Sequence, residues 1–132
     1  MYVCMADISL NKLYSLPDDI DCLKSLKTLV LESNCLEYIP DSISKLTALK
    51  VLNVSKNRIV DFPDGVCELS GLKVLNLEKN RLRYFSPSPY IHAYIHTYIH
   101  TYRLLSIPVG IAHLSVVDLK IGHNKIGYFY DV

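Results

Sequence analysis

The segment LKVLNVSKNRIVDFPDGVCELSG, residues 49–71, is followed directly by LKVLNLEKNRL, residues 72–82. The second segment repeats the start of the first after 23 residues, and the same step taken backwards from Leu49 leads to Leu26 and then to Val3. A fixed period of this length is typical of chains built from stacked structural units. The sequence therefore predicts a solenoid in which each unit of 23 residues forms one coil.

Each unit follows the pattern L-x-x-L-x-L-x-x-N-x-L-x-x-I-P-x-x-I-x-x-L, counted from its first apolar residue. The apolar residues at positions four and six alternate along a short strand, so both point to the same side. Position nine ends the strand with an asparagine, whose side-chain amide can satisfy both a carbonyl and an N–H group nearby. The predicted ladder of stacked asparagines consists of Asn11, Asn34, Asn57, Asn80 and Asn124.

A proline at position fifteen of the first three units directs the chain onto its return path. The aspartates that follow these prolines are Asp18, Asp41 and Asp64. Because aspartate is a favoured residue at helix starts, we predict that each one caps a short helical turn and has no catalytic role.

This pattern resembles the leucine-rich repeat, and it predicts an α/β fold of that class. We expect a right-handed coil with a parallel β-sheet on the concave face and short helical turns on the convex face. Residues 1–132 form a single domain of about five repeats in this interpretation. The repeats span residues 3–25, 26–48, 49–71, 72–115 and, for the partial fifth copy, 116–132.

The fourth repeat is too long, because Leu72 and Val116 are 44 residues apart. Removing residues 83–104 restores the pattern, so we interpret this stretch as an insertion that leaves the solenoid on its convex side. Within it, residues 90–102 read YIHAYIHTYIHTY. A repeated tetranucleotide TACA encodes Tyr-Ile-His-Thr, which suggests the hypothesis that the tract is a translated microsatellite.

Two alternative interpretations of the chain follow, one from the insertion and one from the two ends. His92, His96 and His100 are four residues apart, and pairs with this spacing can chelate zinc on one helical face. The tract has no cysteine or carboxylate to complete such a site, so we predict no bound metal. The second alternative is a truncated or aberrant gene product without independent activity, because neither end shows a polar capping element.

The concave face is the predicted site of function, since side chains at positions three, five, seven and eight point away from the core. Their mixture of small, polar and apolar residues is typical of a surface that binds another protein. Lysines, arginines and a histidine at positions eight and ten form a basic stripe along one rim, which includes Lys12 and Lys125. This stripe is either a solvated edge or a surface that attracts an acidic partner. The predicted contact residues are Val30, Glu32, Asn53, Ser55, Lys56, Arg58, Asn76, Glu78, Lys79, Arg81, Lys120 and His123.

Several other functions are not indicated by the sequence. It contains no glycine-rich phosphate loop and no serine-nucleophile motif, so we expect neither an enzyme nor a bound cofactor. The formal net charge is +1 and no aromatic residue interrupts the basic stripe, which argues against a nucleic-acid partner. We expect no membrane span, because the longest uncharged stretch contains histidines and prolines. Four scattered cysteines and the lack of a signal peptide predict free thiols in the cytoplasm.

Residues 46–59, 66–69 and 113–126 narrow the resemblance to one small leucine-rich repeat protein. The repeat type as a whole resembles the intracellular scaffold class that includes the Ras suppressor, Shoc and Scribble-like proteins. The resemblance implies a non-enzymatic protein-binding role, in some members within Ras-linked signalling.

Overall fold

The computed structural model describes residues 3–61, 63–82 and 116–124. Five short strands form one parallel sheet in which spatial order follows chain order. The strands are β1 (Met5–Asp7), β2 (Thr28–Val30), β3 (Val51–Asn53), β4 (Val74–Asn76) and β5 (Asp118–Lys120). The predicted solenoid with a parallel sheet along one face is confirmed.

The pairing register follows the repeat period from one coil to the next. Leu29 of β2 lies opposite Leu52 of β3, and Leu52 lies opposite Leu75 of β4. All three of these position-four leucines are fully buried, whereas their strand neighbours at positions three and five are half-buried. The sheet therefore has one face in the core and one face toward solvent, as alternation along a strand requires.

Three five-residue 3₁₀ helices lie on the return path, on the other side of the core. They are η1 (Asp18–Cys22), η2 (Asp41–Lys45) and η3 (Asp64–Glu68). The prediction that the aspartates cap these helices is wrong. The residue at each helix cap is the preceding proline in an extended conformation, and no side chain forms a capping hydrogen bond.

The reason is that a 3₁₀ turn satisfies its first amides over a short distance. In η1 the amide of Ile20 donates to the carbonyl of Pro17 at 3.1 Å, and η2 and η3 repeat this bond. Each aspartate is instead the first residue of its helix.

The core runs along the solenoid between the sheet and the 3₁₀ helices. It consists almost entirely of the leucine, isoleucine and valine residues that define the repeat. Its largest fully buried side chains are Leu26, Leu29, Leu31, Leu36, Ile43, Leu46, Leu49, Leu52, Ile59, Leu69, Leu72 and Leu75.

The turn after each strand uses a left-handed backbone conformation at position eight. Leu10, Ser33, Lys56, Lys79 and His123 all have φ values between 54° and 58°. This conformation is unusual for residues other than glycine. Its recurrence in all five coils indicates that the turn is a fixed part of the fold, and it aims the position-eight side chains in the same way each time.

Strand pairing continues in register across the long fourth repeat. Leu75 of β4 lies opposite Leu119 of β5, and the Leu77 amide donates to the Lys120 carbonyl at 2.7 Å. Residues 83–115 lie outside the described part of the chain, and with them residues 83–104, the tract 90–102 and its three histidines. The expectation that the insertion leaves on the convex side therefore stays a prediction.

Candidate functional site

The solvent face of the sheet brings four of the predicted contact residues into one row. Val30, Asn53, Asn76 and Lys120 occupy position five of successive coils, and each lies opposite the next in the strand register. Neighbouring strands are about 4.8 Å apart, so the row offers one side chain per coil at that spacing. The fold thus places residues that are far apart in sequence on one continuous surface.

A hydrogen-bonded group links the second and third coils on this face. The Lys56 Nζ donates to Glu32 Oε1 at 2.6 Å, and the Asn53 amide donates to Glu32 Oε2 at 3.3 Å. The bond from Lys56 is the main cause that holds the pKa of Glu32 below its ordinary value. Glu32 and Lys56 are therefore paired with each other on this surface.

Ser55 supports this group from below and does not face a partner. It is only 4% exposed, and both its hydroxyl and its amide donate to Asn53 Oδ1, at 2.7 Å and 3.1 Å. The prediction that Ser55 contacts a partner needs correction. Ser55 is at position seven, where the turn starts, and its small side chain folds inward. Ser55 instead fixes the orientation of Asn53.

Position five uses its side chain in the same way in other coils. Asn76 Oδ1 accepts a hydrogen bond from the Glu78 amide at 3.0 Å, and Asp7 Oδ1 accepts one from the Ser9 amide at 3.0 Å. Hydrogen bonds from the Ser9 side chain and backbone lower the pKa of Asp7. Polar side chains on the concave face are therefore held in place before any partner arrives, which reduces the entropy lost on binding.

The predicted basic stripe is only partly available as free positive charge. Lys56 is paired with Glu32, and Arg58 is half-buried. Lys12, Lys79, Arg81 and His123 are exposed on the rim, while Lys125 lies outside the described residues.

Sequence reasoning missed a second series of basic residues, at position two. Lys27, Lys50 and Lys73 are all exposed, one in each of the second, third and fourth coils. The Lys50 amide donates to the Lys27 carbonyl and the Lys73 amide to the Lys50 carbonyl, each at 2.8 Å, so the three residues are stacked directly. The 23-residue spacing that revealed the leucines also relates these lysines, and it could have revealed them.

The asparagines at position nine form hydrogen bonds within and between coils. The Asn57 Nδ2 donates to the carbonyls of Leu31 and Val54, at 2.9 Å and 3.0 Å, and its Oδ1 accepts the Leu36 amide at 2.9 Å. Asn34, Asn80 and Asn124 repeat this arrangement. In the first coil, the Nδ2 of Asn11 donates to the carbonyls of Ile8 and Ser9 in its own coil.

The cysteines do not form a reactive or metal-binding centre in the described residues. Cys4, Cys22, Cys35 and Cys67 are free thiols, and no cluster of three or more ligand-type side chains occurs in these parts of the chain. Burial raises the pKa of Cys67 to about 11, with smaller contributions from Asp64 and Glu68, so this thiol is neutral at physiological pH. Among the residues with a described structure, no helix is long and apolar enough to cross a membrane.

Comparisons with known proteins agree with this geometry. The family model described as "Leucine rich repeat" matches residues 7–59 and 47–88. A similar solved structure is the LRR ectodomain of the plant membrane receptor kinase GASSHO1/SCHENGEN3 from Arabidopsis thaliana, in complex with CASPARIAN STRIP INTEGRITY FACTOR 2. It has a TM-score of 0.64 and 26% identity, and the match covers 88% of this chain and 12% of that one. The chain therefore spans only a small part of that ectodomain's length.

A plant ice-binding protein is a second similar structure, with a TM-score of 0.61 and 22% identity. That match covers 93% of this chain and 42% of the other, and at this identity it shows a shared fold alone. A search of curated proteins found no match.

Proposed function

This chain belongs to the leucine-rich repeat family, and from that premise we propose that it is a non-enzymatic scaffold that binds another protein through its concave face. The observation that carries the proposal is the row Val30, Asn53, Asn76 and Lys120, which offers apolar, amide and basic side chains on a rigid sheet. Such a mixed, pre-arranged surface suits a protein partner. A small molecule would need a pocket that encloses most of its surface.

The similar plant ectodomain supports this role. It was solved in complex with CASPARIAN STRIP INTEGRITY FACTOR 2, and it shares 26% identity over 88% of this chain. A leucine-rich repeat segment similar to this chain thus occurs in an ectodomain that was solved with a bound factor. We propose the same general use of the fold here, with a partner of its own.

We further propose that the partner belongs to an intracellular signalling system in the cytoplasm. The four free cysteines support this, because free thiols persist in a reducing compartment. The resemblance of the repeat type to the Ras-suppressor and Shoc class supports it as well. Residues 46–59, 66–69 and 113–126 resemble leucine-rich repeat-containing protein fifty-seven more narrowly.

Affinity capture with two matched variants tests the proposed face. Val30→Arg places a long charged side chain at one end of the row, and Glu68→Arg places the same side chain on η3, on the opposite side of the core. We expect a partner that is captured by wild type and by Glu68→Arg to be recovered at least about tenfold less with Val30→Arg, since a buried unpaired charge is costly at an interface. Cross-links from the partner should map to the strands.

Equal recovery with Val30→Arg would contradict the proposal, provided that the variant melts at the wild-type temperature. Capture that is lost with Glu68→Arg alone would move the binding site to the 3₁₀-helix side.

A further inference from the structure

Lys27, Lys50 and Lys73 form a column at the edge of the concave face where the strands begin, and we call it the lysine column. Their backbones are linked in sequence by the hydrogen bonds from Lys50 to Lys27 and from Lys73 to Lys50, both at 2.8 Å. At about 4.8 Å per strand, the column is about 10 Å long. Cys4 and Val117 hold the same position in the first and fifth coils, so the charge is confined to three coils.

No carboxylate neutralises this column within the described ranges. The ion pairs in the described ranges are Lys56 with Glu32 at 2.6 Å and Lys120 with Asp118 at 3.8 Å, and neither involves the column. All three lysines are exposed. Three like charges one strand apart therefore create a positive potential that an anionic ligand would relieve.

The glycine before the fourth coil leaves room for the middle ammonium group. A Cβ atom at Gly71 would lie 2.6 Å from the Lys50 Nζ, which means that this ammonium rests over the Gly71 backbone. Gly71 is two residues before Lys73. The Lys50 ammonium group therefore lies beside the backbone at the junction of the third and fourth coils.

We propose that the lysine column binds an acidic peptide segment of the partner protein, laid along the solenoid axis at this edge. The proposal rests on the proposed scaffold function and adds the chemistry of the partner to it. An extended peptide advances about 3.3 Å per residue, so three to four residues span the column. Glutamate or aspartate side chains in this segment would meet the ammonium groups of successive coils.

A protein segment fits better than a nucleic acid for two reasons. The residues beside the column at position three are Thr28, Val51 and Val74, and none is an aromatic side chain on which a base could stack. The adjoining face also carries the carboxylates of Glu32 and Glu78, which would repel a polyanion that covered the whole surface. A narrow acidic segment that is confined to the edge avoids both of these carboxylates.

The test measures binding of a labelled hexaglutamate peptide to the purified full chain, with hexaglutamine as the uncharged control. We expect hexaglutamate alone to bind, and binding to weaken at high salt as the charges are screened. Replacing Lys27, Lys50 and Lys73 together by alanine should weaken it at least about tenfold, since each exposed pair is worth roughly a factor of two to five. Lys50→Glu should weaken it more than the matched change Lys45→Glu on η2, which we expect to alter it less than about twofold.

Wild-type affinity for hexaglutamate in the triple variant would overturn the proposal. Preferential binding of polyuridylate, or of phosphatidylserine vesicles, that depends on the same three lysines would overturn the assignment to a peptide.

The capture assay separates this proposal from the proposed function. Capture that is abolished by Val30→Arg but unchanged in the triple variant would overturn the lysine column and leave the concave-face function standing. Hexaglutamate binding that is lost in the triple variant, with capture insensitive to Val30→Arg, would overturn the concave face and leave the column standing.

Discussion

At the scale of single residues, the asparagine at position nine connects one coil to the next. Asn57 is buried, and its amide group bonds a carbonyl and an N–H group of the preceding coil as well as a carbonyl of its own coil. Removal of the side chain would leave these buried backbone groups unpaired, which costs more than an average hydrogen bond contributes. Asn11 is exposed and bonds carbonyls of its own coil, where water can replace it.

We therefore expect Asn57→Leu to lower the free energy of unfolding by roughly 1–3 kcal/mol, and Asn11→Leu to lower it by less than about 1 kcal/mol. Urea denaturation of both variants measures the difference as a shift of the midpoint. Equal losses in the two variants would mean that the bonds between coils contribute no more than those within a coil.

The hydrogen-bond partners of these asparagines follow from the repeat, whereas the partner of Lys56 does not. Position nine is fixed by a turn that every coil shares, so one rule describes Asn34, Asn57, Asn80 and Asn124. Lys56 has a long flexible side chain, and its pairing with Glu32 depends on which residues the preceding coil happens to offer. Sequence reasoning predicted a position on the rim for Lys56 but could not predict that its charge is paired with Glu32.

At the scale of elements, η3 packs so closely against η2 that no side chain fits at Gly65. A Cβ atom at Gly65 of η3 would lie 2.8 Å from the carbonyl oxygen of Asp41 and 3.1 Å from its Cα, both in the backbone of η2. Because backbone atoms cannot turn away, a side chain here would force the two helices apart. A Cβ at Gly71 meets only the flexible end of Lys50 at such a short distance.

Gly65→Ala should accordingly destabilise the fold by about 1–3 kcal/mol, the usual cost of overpacking. The same change at Gly71 should alter stability by less than about 1 kcal/mol, since the loss of chain entropy on folding is smaller for alanine. Thermal unfolding of the two variants side by side tests this. A larger loss of stability for Gly71→Ala than for Gly65→Ala would show that η2 and η3 can move apart enough to accommodate a side chain.

The carboxyl group of Asp64 couples η3 to η2 through charge. Burial, together with repulsion from Asp41, raises the pKa of Asp64 above its ordinary value of 3.8. The folded state thus binds the proton more tightly than the unfolded state, so this group opposes folding once pH exceeds its folded pKa, and the penalty disappears as pH falls below 3.8.

Asp64→Asn should therefore raise stability near pH 7, by less than about 1 kcal/mol because the group is partly solvated. The gain should shrink as the pH is lowered toward 3.8, where the wild-type carboxyl becomes protonated, and it should be smaller in an Asp41→Asn background. Chemical denaturation at several pH values provides the measurement. A gain that is independent of pH would point to a cause other than charge.

At the scale of the whole molecule, three parallel series of side chains run along the sheet. The lysine column lies where the strands begin, the row of Val30, Asn53, Asn76 and Lys120 lies between, and the rim with Lys79 and Arg81 lies beyond the strand ends. The repeat period predicted the strands and the fold, because buried leucines determine both. It did not reveal the lysine column, because exposed positions carry no packing constraint.

The last prediction concerns residues 83–104, which interrupt the fourth repeat. Coil five pairs with coil four in register, with the Leu82 amide donating to Asn124 Oδ1 at 3.1 Å, so the solenoid is continuous on both sides of the interruption. A longer loop costs only about 0.6 kcal/mol for each doubling of its length. Deletion of residues 83–104 should therefore preserve or slightly raise the melting temperature and leave hexaglutamate binding unchanged, because the lysine column ends at Lys73. Zinc should shift the melting temperature of neither form. Unfolding on deletion, or a zinc-dependent rise that requires His92, His96 and His100, would instead identify the tract as a structural or metal-binding element.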